Sequence, residues 1–271
     1  MCYYNGQRVA RSEYIRLMDL EKTVANYPFL NSSIQEGFAY GQSAVLQPND
    51  VKNNFDIKQM EWGFIPPYLG TREDVKKMRS GYKDENGKYQ QPLITLNAKG
   101  EELLLPKKMY RKATLERRCL VISSGFYEWR HIFPKNKKTG VPLKTAVKYP
   151  YHINLKDQEY FYMAGIWQPW EDRKTGEQVN TMSIVTTDAN YIMKQVHNSK
   201  NRMPTILPEE LAWDWMMEQL PESRITEIAT HQYPAELMQA YSIEKDFRSA
   251  MEPTKAFTYE ELPALEVIAA T

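Results

Sequence analysis

Apolar positions along this chain gather in short runs separated by long polar loops, and few stretches repeat at helical spacing. Thr181 to Thr187 is the clearest strand pattern, rich in β-branched residues. Gly37 to Gly41, Gln59 to Trp62, Leu93 to Leu96 and Cys119 to Ile122 read as further short strands. Tyr149 to Asn154 and Tyr160 to Trp167 read as two strands paired with each other. Helical spacing predicts a helix from Ser12, as its cap, to about Asn26, with Leu17, Leu20 and Val24 on one face. Asp188 is expected to cap a short helix ending at Val196-His197, and Pro208-Glu209-Glu210 to open another reaching Leu220. Residues 71–90 read as a solvated loop or short helix, 134–144 as a basic hairpin-like loop, and a polar tail begins near Pro253. Strands outnumber helices, which lie near both ends. The expected fold is α+β: one domain over residues 1–271, its mixed, strongly curved sheet partly closed into a barrel and flanked by helices.

Composition narrows the partners. The 271 residues carry a net charge of +1, so a nucleic-acid site has to be a local patch. Lys107, Lys108, Arg111, Lys112, Arg117 and Arg118 form the densest basic stretch, read either as a solvated face or as a track for a phosphate backbone. Aromatic residues reach 12%, enough for stacking surfaces as well as core. No apolar run is long enough to span a bilayer, and the start of the chain lacks a basic-then-apolar signal, so the expected location is the cytoplasm. Two cysteines, at 2 and 119, do not make a disulfide framework or a zinc site. No cofactor or metal is expected, and the chain reads as a monomer with no membrane partner.

The chemistry starts at Cys2. Removal of Met1 would leave a 1,2-aminothiol, an α-amine titrating near about 8 beside a thiol near about 8.5. Such a pair condenses with an aldehyde to an imine and closes to a thiazolidine; a chain that retains Met1 lacks the amine. Glu128 stands in Gly125-Phe126-Tyr127-Glu128-Trp129, where apolar surroundings would raise its pKa and suit it to proton transfer. An ordinary strand with Glu128 on its wet face fits the same letters. Asn97-Ala98-Lys99-Gly100-Glu101 reads as a strand end facing a cleft or as a simple turn. Trp62-Gly63-Phe64-Ile65-Pro66-Pro67-Tyr68 is a proline-stiffened aromatic loop, either packed on the core or a platform for unpaired bases. His197 ends its helix ahead of Arg202-Met203-Pro204.

Taken in order, Cys2, Trp62 to Pro66, Asn97 to Glu101, Gly125 to Trp129, Ala164 to Trp167, and His197 with Arg202 to Pro204 resemble the motifs of the SOS response-associated peptidase family. The resemblance implies a cysteine that reacts covalently with abasic sites in single-stranded DNA, in the cytoplasm at the nucleoid. It assigns the reacting role to Cys2, positioning of the N-terminus and opened sugar to Asn97, and proton transfer to Glu128 with His197, the latter as the donor that helps open the sugar ring. Lys99 and Arg202 fall where phosphate contacts are expected, and Trp62, Pro66 and Tyr68 where a wedge parts the bases; Arg118 belongs to the basic stretch. Three departures stand out. Lys99 replaces an arginine and loses its bidentate geometry, Asn198 to Asn201 separate His197 from Arg202, and Tyr3 takes the place of a glycine. Two other functions fit the residues: an N-terminal-nucleophile peptidase or amidohydrolase using Cys2, which would make the protein a hydrolase, and a non-covalent single-strand binder.

Overall fold

The computed structural model describes residues 2–136 and 138–266. In chain order the strands are β1 Tyr4–Arg8, β2 Tyr14–Leu17, β3 Leu20–Thr23, β4 Asn31–Glu36, β5 Gln42–Pro48, β6 Phe55–Trp62, β7 Tyr82–Lys83, β8 Tyr89–Gln90 and β9 Asn97–Lys99. They continue with β10 Arg118–Ser123, β11 Gly125–Ile132, β12 Val147–Leu155, β13 Phe161–Glu171, β14 Gln178–Asp188, β15 Arg202–Pro204, β16 Ile206–Leu207 and β17 Met238–Ser242. The helices are α1 Arg72–Ser80, α2 Arg111–Glu116, α3 Tyr191–Val196, α4 Glu209–Met217 and α5 Glu222–Ala229.

Five strands close on themselves in the order β14-β6-β5-β10-β13, with β13 pairing back to β14 from Gly165↔Ile184 to Glu171↔Gln178. Closure leaves these strands no free edge. The ring is mixed, because β14 meets β6 in parallel at Thr181↔Glu61 and Met182↔Trp62. A second sheet, β17-β12-β11-β1-β4, is antiparallel and open. The expected curved, barrel-forming α+β fold is what the chain adopts.

Strand alternation distributes the core. Cys119 and Val121 of β10 face one apolar cluster with Met163, Met182, Ile184 and Phe126, while Leu120 and Ile122 face another with Ala164, Trp215 and Ile225. Barrel strands covered on both faces need apolar residues at every position, which is why Arg118–Ser123 is buried throughout. Helices α4 and α5 cover the second cluster, and the Trp215 indole N–H donates to the carbonyls of Cys119 and Gly165, each at 3.1 Å.

Several local expectations give way. Residues 12–26 form the β2–β3 hairpin and a 3-10 turn, not a helix. Ile15 and Leu17, two apart, are both fully buried, so the period is two rather than 3.6; Ser12 caps nothing and donates its N–H to Glu159 at 2.6 Å. Gly37–Ala39 is a 3-10 turn closed by Tyr40 at φ 51°, not a strand. Residues 93–96 lie outside any ladder; their strand starts at Asn97. Strands β12 and β13 belong to different sheets and do not pair with each other, because the 156–160 connection carries the chain from one sheet to the other. Asn190, not Asp188, caps α3 through its side-chain oxygen, 3.1 Å from the Met193 N–H. Pro221 divides the last helical stretch, so α4 ends at Met217 and α5 follows.

Candidate active site

Cys2 precedes β1 and is fully buried. Its carbonyl accepts from Asn97 Nδ2 at 2.9 Å, and its thiol lies 3.5 Å from the Tyr4 carbonyl. Asn97 reaches it because β9 lies parallel to β14, with Asn97 opposite Ile184. The next residue is tied down as well, since the Gly37 N–H donates to the Tyr3 carbonyl at 2.8 Å. Burial, followed by the nearby Glu128 carboxylate, pushes the Cys2 thiol well above its ordinary value.

Glu128 arrives from β11. It stands two residues from Phe126, so it shares that residue's inward face, while Tyr127 turns to the opposite one against Phe247. At 4% exposure its carboxyl is raised by burial to about 7. His197 Nε2 lies 3.7 Å from Glu128 Oε2, and its Nδ1 is 2.8 Å from the Arg202 carbonyl. A carbonyl can only accept, so Nδ1 carries a proton and the neutral ring presents the Nε2 lone pair toward Glu128. Burial lowers His197 to about 4, so the ring is neutral at pH 7.

The structure therefore gathers Cys2, Asn97, Glu128 and His197 at one place. It distributes the other predicted residues differently. Lys99 is exposed and pairs with Glu102 at 2.9 Å. Trp62 is buried, its indole N–H donating to the Leu96 carbonyl at 2.9 Å, and Pro66, four residues on, is buried too. A wedge at the surface can use neither as it stands; Tyr68, 64% exposed, is the accessible member of the three. Arg118 is no phosphate contact. Its guanidinium is buried and donates to the carbonyls of Trp215, Glu218, Thr114 and Leu115, where α4 and α2 end. Arg202 also faces protein: it holds Glu101 through two bonds of 2.6 and 2.9 Å, reaches Asp188 at 2.8 Å, and offers its own carbonyl to His197.

Sequence reasoning missed three supports. His131 and Asn198 exchange two hydrogen bonds of 2.9 and 2.8 Å, tying β11 to the loop after His197. Tyr3 packs against Phe38 with the rings tilted by 48° and centroids 4.8 Å apart. The tail is not merely polar: Tyr259, Leu262 and Leu265 pack on the Cys2 cluster, and Glu266 bonds Tyr191 and Gln195 of α3. The apolar spacing of Tyr259, Leu262 and Leu265 was the one available signal for the last. A cavity of about 730 Å³ beside Gln47, Arg117, Trp167 and Met217 contains none of the four gathered residues.

Residues 8–250 match the family described as SOS response associated peptidase (SRAP). The chain belongs to the SRAP family. The match begins after Cys2, so that residue's place rests on the structure alone. Among SRAP relatives, the Bacillus subtilis protein named abasic site processing protein YoqW is 29% identical over 205 residues, 76% of each chain. Abasic site processing protein HMCES of Gallus gallus is 28% identical over 177 residues, covering 59% of this chain and 45% of its own. A crystal structure of a Bacteroides thetaiotaomicron protein superposes with a TM-score of 0.68 at 26% identity, covering 94% of this chain and 97% of that one.

Proposed function

We propose that this SRAP protein acts on abasic sites in DNA and captures them, in single strands, as a thiazolidine on Cys2 once Met1 has been removed. The observation that carries the reading is the seating of Cys2: Asn97 holds its carbonyl, and Glu128, raised by burial to about 7, lies near enough for its charge to be felt at the thiol, which it raises. The names of the relatives supply the substrate class.

The amine of Cys2 attacks C1′ of the opened sugar and forms a carbinolamine. Glu128, which burial keeps partly protonated near neutral pH, donates to the departing hydroxyl, and water leaves to give the iminium. The resulting carboxylate takes the proton of the buried thiol as sulfur adds to the iminium carbon, whose π electrons return to nitrogen and leave it a neutral ring N–H. One aldehyde and one aminothiol become one thiazolidine and one water. A neutral His197 is a poor acid at pH 7, so its part is to orient Glu128 and relay its proton rather than to open the sugar itself.

Intact mass after incubation with a single-stranded oligonucleotide carrying one abasic site tests this. A stable protein–DNA adduct is expected for the Met1-processed protein and absent in Cys2→Ser and in a Met1-retaining form. An unchanged mass, with Cys2 confirmed as the first residue, refutes capture.

A further inference from the structure

Trp129 to Lys156 contains seven of the chain's 35 basic residues and none of its 34 acidic ones. In this structure the segment is the end of β11, the arm that follows, all of β12 and the residue after it. β11 and β12 stay paired as far as Ile132↔Val147. Beyond that the described residues of the arm hydrogen-bond to one another. Leu143 N–H donates to the Pro134 carbonyl, Asn136 N–H to Val141, and Gly140 N–H to Asn136, each at 2.8 Å. The Asn136 side chain accepts from the N–H groups of Lys138 and Thr139.

Lys135, Lys138, Lys144 and Lys148 are all exposed, and among the described residues none of them makes an ion pair. An uncompensated cationic arm on a chain of net charge +1 is a local field that favours a polyanion. Phe133, 51% exposed at the arm's root, adds a ring on which a base can stack. The arm also starts close to the chemistry. Its root is His131, bonded both ways to Asn198 just after His197, and β11 places Glu128 three residues before it, about 10 Å along the strand.

We propose that the β11–β12 arm, residues 133–148, is a second contact for the phosphate backbone of single-stranded DNA, gripping the strand where it runs on from the Cys2 site. The proposal rests on the nucleic-acid part of the function above and extends it to a partner surface with named residues.

The test uses the full chain and an undamaged oligonucleotide, so it does not depend on capture. Binding is read by fluorescence anisotropy across a salt series, for a long strand and for one too short to leave the Cys2 site. The variant Lys135→Ala/Lys138→Ala/Lys144→Ala should lower the slope of log Kd against log salt by about 2, since each single-strand phosphate contact contributes about 0.7. It should weaken the long strand by roughly tenfold at physiological salt and leave the short one unchanged. Arginine at the same three positions should restore the slope, because charge and not side-chain shape is being read. Three outcomes overturn the arm: an unaltered slope, an equal loss from Lys22, Lys52 and Lys255 changed together to alanine, or no binding of the long strand by the wild type. Adduct formation by a variant with an unaltered slope removes the arm and keeps capture. Arm-dependent binding without any adduct keeps the arm and removes capture.

Discussion

Two basic stretches of this chain look alike as letters and serve different ends in space. In 107–118 four of the six cations are committed to the protein: Lys108 to Glu102 at 2.6 Å, Arg111 to Glu222 at 2.6 Å, Arg117 to Glu116 at 2.5 Å, and Arg118 to four backbone carbonyls, while Lys107 and Lys112 are exposed. In 133–148, Lys135, Lys138, Lys144 and Lys148 are exposed, with no acid in the segment to answer them. Charge density alone chooses the first stretch as the phosphate track; the distribution of counter-charges chooses the second. The same distinction separates two buried acids. Glu61 lies between Arg72 and Arg79 at 2.9 and 2.6 Å, whereas Glu128 faces His197 at 3.7 Å and is raised to about 7.

The largest break of this contrast is Arg118→Met. It strips the C-terminal carbonyls of α4 and α2 of their donor and should cost about 3–5 kcal/mol, read by urea unfolding. The salt slope of DNA binding should not move; a lowered slope with normal stability would return Arg118 to the phosphate track.

Glu128→Gln comes next. A carboxyl raised to about 7 from an ordinary value near 4.3 adds stability below about pH 4, and that stability is lost as pH climbs through 7. The glutamine variant should therefore unfold like wild type at pH 4 and be more stable at pH 8, by up to about 3 kcal/mol, while forming no adduct. His197 and His152 have the opposite sign. Burial lowers both to about 4, so their contribution is present above about pH 6.5 and drains away as pH falls through 4. Equal stability of the Gln variant and wild type at pH 8 would mean that Glu128 titrates normally.

Arg202→Lys keeps the charge and loses the two-bond grip on Glu101. A loss of about 1–2 kcal/mol is expected, with slower capture because the carbonyl that holds His197 shifts. Adduct formation at the wild-type rate would separate Arg202 from the site. The smallest effect belongs to the arm: the three-lysine alanine variant should unfold within about 0.5 kcal/mol of wild type, since these side chains touch nothing that the fold requires.

Much of the site was readable because it is written in contiguous residues. Glu128 beside Phe126 and Asn97 at the end of an apolar run stood out as candidates, but a wet strand face for Glu128 and a simple turn for Asn97 fitted the same letters, and only the structure buries both. The arm was also visible as a basic loop. The 12–26 hairpin was not, because Leu17, Leu20 and Val24 fit a helical face and Ile15 with Leu17 fit a strand face, and only Glu159 and the core beneath decide between them.

The sequence by itself determined the runs behind four of the five barrel strands and the aminothiol chemistry latent in Cys2, because each depends on residue type and local period. Tertiary structure decided which strands pair, that Trp62 and Pro66 turn inward, and that Arg118 and Arg202 are absorbed by protein. It decided these because their partners lie far along the chain: Leu96 for Trp62, Trp215 and Glu218 for Arg118, Glu101 for Arg202. A buried polar group must find such a partner, and where that partner stands is a property of the closed barrel rather than of any stretch of letters.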